Sequence, residues 1–248
     1  MTARLLLAPI LFVLFAPIEI EAWPAEAYRG MVYDALALMP PSLGRVLARR
    51  EEALLSGVST LEGETASLIA RDGRRGEISR DLIQDVEKRI ERVVRMVSEH
   101  RPFRETALEL GRLLRIAADL SDPTVVGAYS PELRRVAPEY ARFVGLHLTK
   151  IPLVHDDSLP SPVAGASVEG ILGRVAERTS ASIAPLSEAF WKDGRVVPAT
   201  SFDFRSVPYA ETSLSYSRGV TAASYLWLSA WTKANGDFTG YRFAPKKR

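Results

Sequence analysis

Arg115 and Asp119 stand four residues apart in GRLLRIAADLSDP, residues 111–123, and Arg135 and Glu139 repeat that spacing in RVAPE. On a helix, positions i and i+4 share one face, so each guanidinium can meet a carboxylate. Carboxylates are good ligands for metal ions. An arginine is not: it is always charged, presents five donors and has no acceptor, so it can hold only an anion. The chemistry open to these positions is therefore charge-assisted pairing and anion recognition. On a solvated helix face such a pair contributes only about 0.3–0.5 kcal/mol. In an interior it would neutralise a carboxylate whose unpaired burial costs several kcal/mol.

Other templates are excluded by residue type. The chain has no cysteine, so thiol nucleophiles, thiolate metal sites and disulfides are ruled out. Its three histidines, His100, His147 and His155, include no pair at i, i+4, which leaves no helical histidine pair for zinc. His155-Asp156-Asp157 is a metal-capable triplet, but adjacent loop residues splay their side chains apart. There is no Gly-rich phosphate loop, and GASVEG at 165–170 lacks the spacing of a nucleophile elbow. A formal net charge of +2 over 248 residues does not suggest nucleic acid as a partner. RDGRRG at 71–76 reads as a solvated basic loop that could also touch anionic lipid or phosphate.

The elements that must position these residues are helical. With 47% hydrophobic and 25% charged residues the chain has the balance of a globular protein, and its apolar residues recur at helical spacing and hardly ever alternate. Helices are expected over about Ala25–Met39, Ser42–Leu55, Ser79–Glu99, Pro102–Leu120, Glu132–Thr149, Ser167–Trp191 and Tyr209–Ala234. Ser79 is a natural N-cap, and Asn235-Gly236 ends the last helix. The segment 151–165, with Pro152, Pro160 and Pro162, reads as a surface loop. A Pro-containing, hairpin-like or irregular stretch precedes the last helix. Tyr216, Tyr225, Trp227 and Trp231 on that helix read as core, with a membrane-facing belt as the alternative. The expectation is one all-α bundle of about seven helices.

The N-terminus reads as an export signal. LLLAPILFVLFAPI, residues 5–18, follows Arg4 and is shorter than the roughly 20 apolar residues of a membrane span. Ala22 supplies the small residue before a cut. Residues 1–22 are thus expected to be a signal peptide, with 23–248 as the mature domain starting at Trp23. An uncleaved membrane anchor is the alternative. Both place the body outside the cytoplasm, periplasmic or secreted.

With those residues in view, the chain resembles the zinc-dependent phospholipase C family and the single-strand-specific zinc nucleases that share its all-α fold. AWPAEAYRGMVYDALALMP is similar to the family opening, in which an N-terminal tryptophan binds metal through its amino group and carbonyl oxygen. Trp23 stands there, with Tyr28 at the position of the following histidine. LLSGVSTLEG at 54–63 resembles a helix end that carries a metal-bridging aspartate in the family, and that aspartate is missing here. The family pattern G-x-x-x-H-x-x-x-D-x-x-x-P is matched by Gly111, Asp119 and Pro123 with Arg115 at the histidine, and a further family histidine falls near Val125. H-x-x-x-E is matched from Arg135 to Glu139. VPYAETSLSYSRGVTAASYLWLSAW is similar to the family's closing helix.

The resemblance implies the phospholipase C type of helical bundle, with Trp23, Tyr28, Arg115, Asp119, Arg135 and Glu139 at former metal-site positions. It implies that Arg–carboxylate pairs replace the zinc cluster, within or across helices. No metal and no cofactor are then expected, and the protein is a non-catalytic binding or structural protein of the cell envelope. A phosphate or phospholipid headgroup is the expected kind of ligand and a membrane surface a possible partner. The alternative is a zinc-dependent phosphodiester hydrolase, of phospholipase C or nuclease type, with a reduced or rearranged ligand set that draws His147 or His155 to Asp119.

Overall fold

The computed structural model describes residues 23–61, 65, 69, 78–154, 158–162 and 165–241. The expected signal peptide, the RDGRRG loop, the His155-Asp156-Asp157 triplet and the C-terminal basic tail lie outside them. Among the described residues the chain forms nine α-helices and one two-stranded hairpin. The helices are α1 (Ala25–Ala37), α2 (Pro41–Ala48), α3 (Glu51–Ser59), α4 (Arg80–Ser98), α5 (Phe103–Ser121), α6 (Pro123–Val126), α7 (Pro131–His147), α8 (Val168–Phe190) and α9 (Val207–Lys233). The all-α expectation holds, and none of the described helices is long and apolar enough to cross a membrane.

Two helices form the centre. From Thr106 to Ser121 nearly every residue of α5 is buried, and so is nearly every residue of α9 from Thr212 to Ala230. Helices apolar or small all round belong inside a bundle. They pack along one another, with α3 and α4 against α5, α8 against α9, and α1 against both. Trp227 fastens the pair by donating its indole N–H to the Leu110 carbonyl at 2.8 Å. Four of the serines and threonines that keep α9 slim bond back to its own carbonyls: Ser213 to Tyr209, Thr221 to Ser217, Ser224 to Val220 and Ser229 to Tyr225. Their hydroxyls are thereby satisfied without leaving the helix. Tyr216, Tyr225 and Trp227 are buried in this core, so they form no membrane-facing belt.

The outer helix α4 follows its sequence pattern closely. It buries Leu82, Val86, Ile90 and Val93, and the Ser79 hydroxyl caps it by accepting from the Leu82 amide. Two helices beyond the expected seven have simple causes. The stretch expected as one helix over Ser42–Leu55 breaks at Arg49-Arg50. A continuous helix burying Leu43 and Leu47 would carry Arg50 or Glu51 into the core next. The helix breaks at that turn, and α3 goes on to bury Ala53, Leu54, Gly57 and Val58. The second addition is α6, a single turn that starts at Pro123.

The irregular stretch contains a hairpin in which Trp191-Lys192 pairs antiparallel with Arg195-Val196. Its turn residues Asp193 and Gly194 both have positive φ, 51° and 75°, as a two-residue Asp-Gly hairpin turn requires.

Candidate functional site

Gly111 opens the motif, and its role is steric. A Cβ on Gly111 would lie 2.1 Å from the Leu54 carbonyl oxygen, and one on Gly57 would lie 2.1 Å from the Leu108 oxygen. The two glycines let α3 and α5 cross with their backbones in contact. One turn further on, α5 turns Arg115 and Asp119 to the interior.

Asp119 is completely buried. Arg115 Nε lies 2.9 Å from each of its carboxylate oxygens. The Tyr28 hydroxyl, from α1, donates to Oδ1 at 2.5 Å. The guanidinium carbon of Arg115 also sits 4.4 Å from the centre of the Tyr28 ring, so cation, phenol and carboxylate form one closed contact. Burial, reinforced by the negative charge of Asp119, holds the Tyr28 phenol well above its ordinary pKa, which keeps it a donor. Trp23 lies beside them, donating its indole N–H to the Ala118 carbonyl at 2.8 Å and turning its ring toward Tyr140 and Tyr216. Four of the six positions singled out in the sequence therefore meet, across sequence separations of more than 90 residues.

The other two do not join them. Arg135 is exposed, with its guanidinium 5.5 Å from the Trp191 ring centre. Glu139 is only part-buried; its Oε2 accepts from the Ala199 amide at 2.6 Å, and its Oε1 lies 3.7 Å from Arg142. The expected Arg135–Glu139 pair is not formed. The reason is the rotation of α7, whose inward stripe is Leu133, Val136, Tyr140, Phe143 and Val144. Residues 135 and 139 each fall one position off that stripe, about 100° around the helix. Val125, near the position of a further family histidine, is a fully buried core residue.

Behind Asp119 lies a second set of buried polar groups that the sequence reading did not single out. Asp122, from the SDP turn, caps α6 by accepting from the Thr124 amide and hydroxyl, both at 2.7 Å. Burial raises its carboxyl to about pH 7, and the negative charge of Asp119 adds to the effect, while the Thr124 bonds pull it back. Tyr140 fills the inward position of α7, and its hydroxyl, facing Thr212, has no well-formed hydrogen bond. Arg218 of α9 is buried, with Nη1 3.5 Å from the Thr179 hydroxyl. One signal was readable: Arg218 is the only charged residue between Glu211 and Lys233. A single charge in a long apolar helix marks a buried partner.

His147 stacks on Phe143, with ring centres 4.4 Å apart, and faces Tyr209. It belongs to the aromatic end of α7. His100, at the end of α4, is exposed and takes a positive φ of 54°.

Zinc is the metal the resemblance implies, and these residues can be tested against it. A zinc site needs three or four lone-pair donors around one point. Asp119 instead faces a guanidinium, which has no lone pair to give, and a phenol that is held protonated. As arranged, Tyr28, Arg115 and Asp119 are not a zinc ligand set, and among the described residues no three His, Asp or Glu side chains converge as a metal would require.

Compared with protein-family models, with curated proteins and with solved structures, the chain matches none.

Proposed function

We propose that the protein is an exported, non-catalytic binding or structural protein of the cell envelope. Its bundle is of the zinc phospholipase C type, and a charge lock occupies the position of the metal cluster. The observation that carries this reading is the closed contact around Asp119. In a metal-dependent phosphodiesterase, metal-bound water is the nucleophile and the metal stabilises charge on the phosphoryl oxygens. Here the carboxylate is neutralised by Arg115 and hydrogen-bonded by Tyr28, so it is not left to bind an ion or to take a proton from water. The meeting of Trp23, Tyr28, Arg115 and Asp119 also favours the family resemblance, since local periodicity alone does not bring residues 23 and 28 to 118 and 119.

The hydrolase alternative has less to work with. His147 is committed to an aromatic stack and Glu139 to the Ala199 amide. Arg115 is buried against Asp119 and the Tyr28 ring, so an anionic ligand would have to be recognised elsewhere on the molecule.

The test is the zinc content of the purified mature protein, by elemental mass spectrometry after gentle removal of adventitious metal, with phosphodiester hydrolysis assayed on the same sample. The expected result is no stoichiometric zinc, no hydrolysis and an intact fold by circular dichroism. Tightly held zinc at one or more ions per chain, with hydrolysis lost on chelation, would return the protein to the metallohydrolases. The intact mass of the same sample reports whether the chain is cut after Ala22.

A further inference from the structure

A different cluster gathers three arginines around one buried carboxylate. Glu109, on α5, is almost fully buried and draws three guanidiniums to the junction of α3, α4 and α5. Arg92 Nη1 reaches its Oε1 at 3.0 Å, Arg112 Nη1 bonds to the same oxygen, and Arg89 Nη1 lies 3.4 Å from Oε2. Arg89 and Arg112 are fixed from their other side as well. Arg89 Nε donates to Asp85 at 2.8 Å, and Arg112 Nε donates to the Thr60 hydroxyl at 3.2 Å.

We propose that Arg89, Arg92 and Arg112 form a binding site for a phosphate-type oxyanion. Three lines of physical chemistry converge on it. Three guanidiniums meet two carboxylates, Glu109 and Asp85, which leaves one positive charge in excess. Each arginine spends Nη1 on Glu109, while no Nη2 group of the three has a partner among the described residues. A terminal phosphate presents three acceptor oxygens, one for each free amino group, and forms charge-assisted bonds with them. Finally, the site is reachable: the side chains of Arg92 and Arg112 are 43% and 25% exposed and that of Arg89, at its inner side, 14%, while the carboxylate that orients them is only 3% exposed. A buried anchor with half-exposed donors is preorganised, so little ordering remains to be done on binding. This inference does not depend on the metal-free reading of Asp119, and either can fail alone.

The test is calorimetric titration with inorganic phosphate at fixed ionic strength, with chloride as the control anion, on wild type, R92Q, R112Q and R101Q. Arg101 is an exposed arginine of the same region, paired with Glu105. The expected result is saturable binding that weakens by at least about tenfold in R92Q and in R112Q, the loss of one charge-assisted contact, and is unchanged in R101Q. Circular dichroism verifies that each variant is folded, and R92Q keeps the test sound if R112Q is not. Flotation with phosphatidylcholine vesicles carrying phosphatidic acid separates the sources. Arginine-dependent vesicle binding assigns a lipid phosphomonoester, and phosphate binding without it assigns a soluble one. Absence of saturable phosphate binding, or equal affinity in folded R92Q and wild type, would show that the arginines serve Glu109 alone and overturn the proposal.

Discussion

Replacing Arg115 by methionine isolates the lock around Asp119. Methionine keeps much of the aliphatic stem and removes the guanidinium. Arg115 is 6% exposed and Asp119 is wholly buried, so water cannot take the place of the lost partner. The Tyr28 hydrogen bond stays, but a neutral donor does not compensate a buried carboxylate as a guanidinium does. Breaking a buried ion pair from one side costs about 3–5 kcal/mol, against about 0.5 kcal/mol for the same pair on a solvated face. With a urea m-value toward the upper end of about 1–3 kcal/mol/M, the midpoint of unfolding falls by roughly 1–2 M. Removing both charges together with the hydroxyl bonded to them, in R115M/D119L/Y28F, recovers most of that loss, because neither a charge nor a buried donor is then left unpaired. Y28F, which deletes one bond to a charged acceptor, falls between, at about 1.5–3 kcal/mol. Urea unfolding followed by far-UV circular dichroism measures all three. If R115M lies within about 0.5 kcal/mol of wild type, Asp119 is not a buried charge that needs Arg115, and the lock is refuted.

Other perturbations test the surrounding structure. In G111A the new methyl group would meet the Leu54 carbonyl oxygen at 2.1 Å, so α3 and α5 must separate; unfolding should be easier by at least about 1–3 kcal/mol, with a Gly57→Ala variant behaving alike. Asp122 makes stability depend on pH. Its carboxyl titrates at about 7 in the folded chain and near 3.8 when free, so between those values the folded state holds a proton that the unfolded chain has released. Its stabilising contribution is present in full below about pH 4, declines as pH rises and is gone above about pH 7, a loss of about 4 kcal/mol across the interval. D122N, which keeps an acceptor for Thr124, should flatten that slope; an unchanged slope in thermal melts across pH 4 to 8 would assign it to another group.

The architecture was legible because apolar period and caps coincide in this chain. Leu82, Val86, Ile90 and Val93 with Ser79 ahead of them leave little choice for α4, whereas the stretch before α9 reads only as hairpin-like or irregular although Asp193-Gly194 supplies the turn. The break at Arg49-Arg50 was not legible from period alone, because Leu43, Leu47, Leu54 and Val58 keep one helical stripe across it. Arg115 and Asp119 could be named from spacing, and Tyr28 and Trp23 by likeness to a family opening. Arg135 and Glu139 show how the same spacing misleads. Any i, i+4 pair shares a face, but whether that face points inward depends on the apolar stripe beside it, and Leu133, Val136, Tyr140 and Phe143 already placed the stripe elsewhere. Asp122 escaped notice since an aspartate before a proline reads as an ordinary cap, and its burial follows from tertiary packing.

The lock also explains how a short N-terminal helix is held to the centre of the bundle. Helix α1 buries mostly small or flexible residues, Ala27, Met31, Val32 and Ala35, which would pack against α5 and α9 almost equally well after a small slide or rotation. Hydrophobic contact is non-directional and does not choose among such poses. Directional bonds do. The Trp23 indole reaches the Ala118 carbonyl, the Tyr28 hydroxyl reaches Asp119, and Tyr216 of α9 donates to Asp34 at 2.8 Å. These three bonds meet α1 near both of its ends and tie it to both central helices, so they fix its axial position and its rotation together. Gly30 serves the same fit, since a Cβ there would lie 2.7 Å from the Tyr216 hydroxyl. The charges around Asp119 thus set where α1 sits, even if an apolar replacement such as R115M/D119L/Y28F leaves the net stability nearly unchanged.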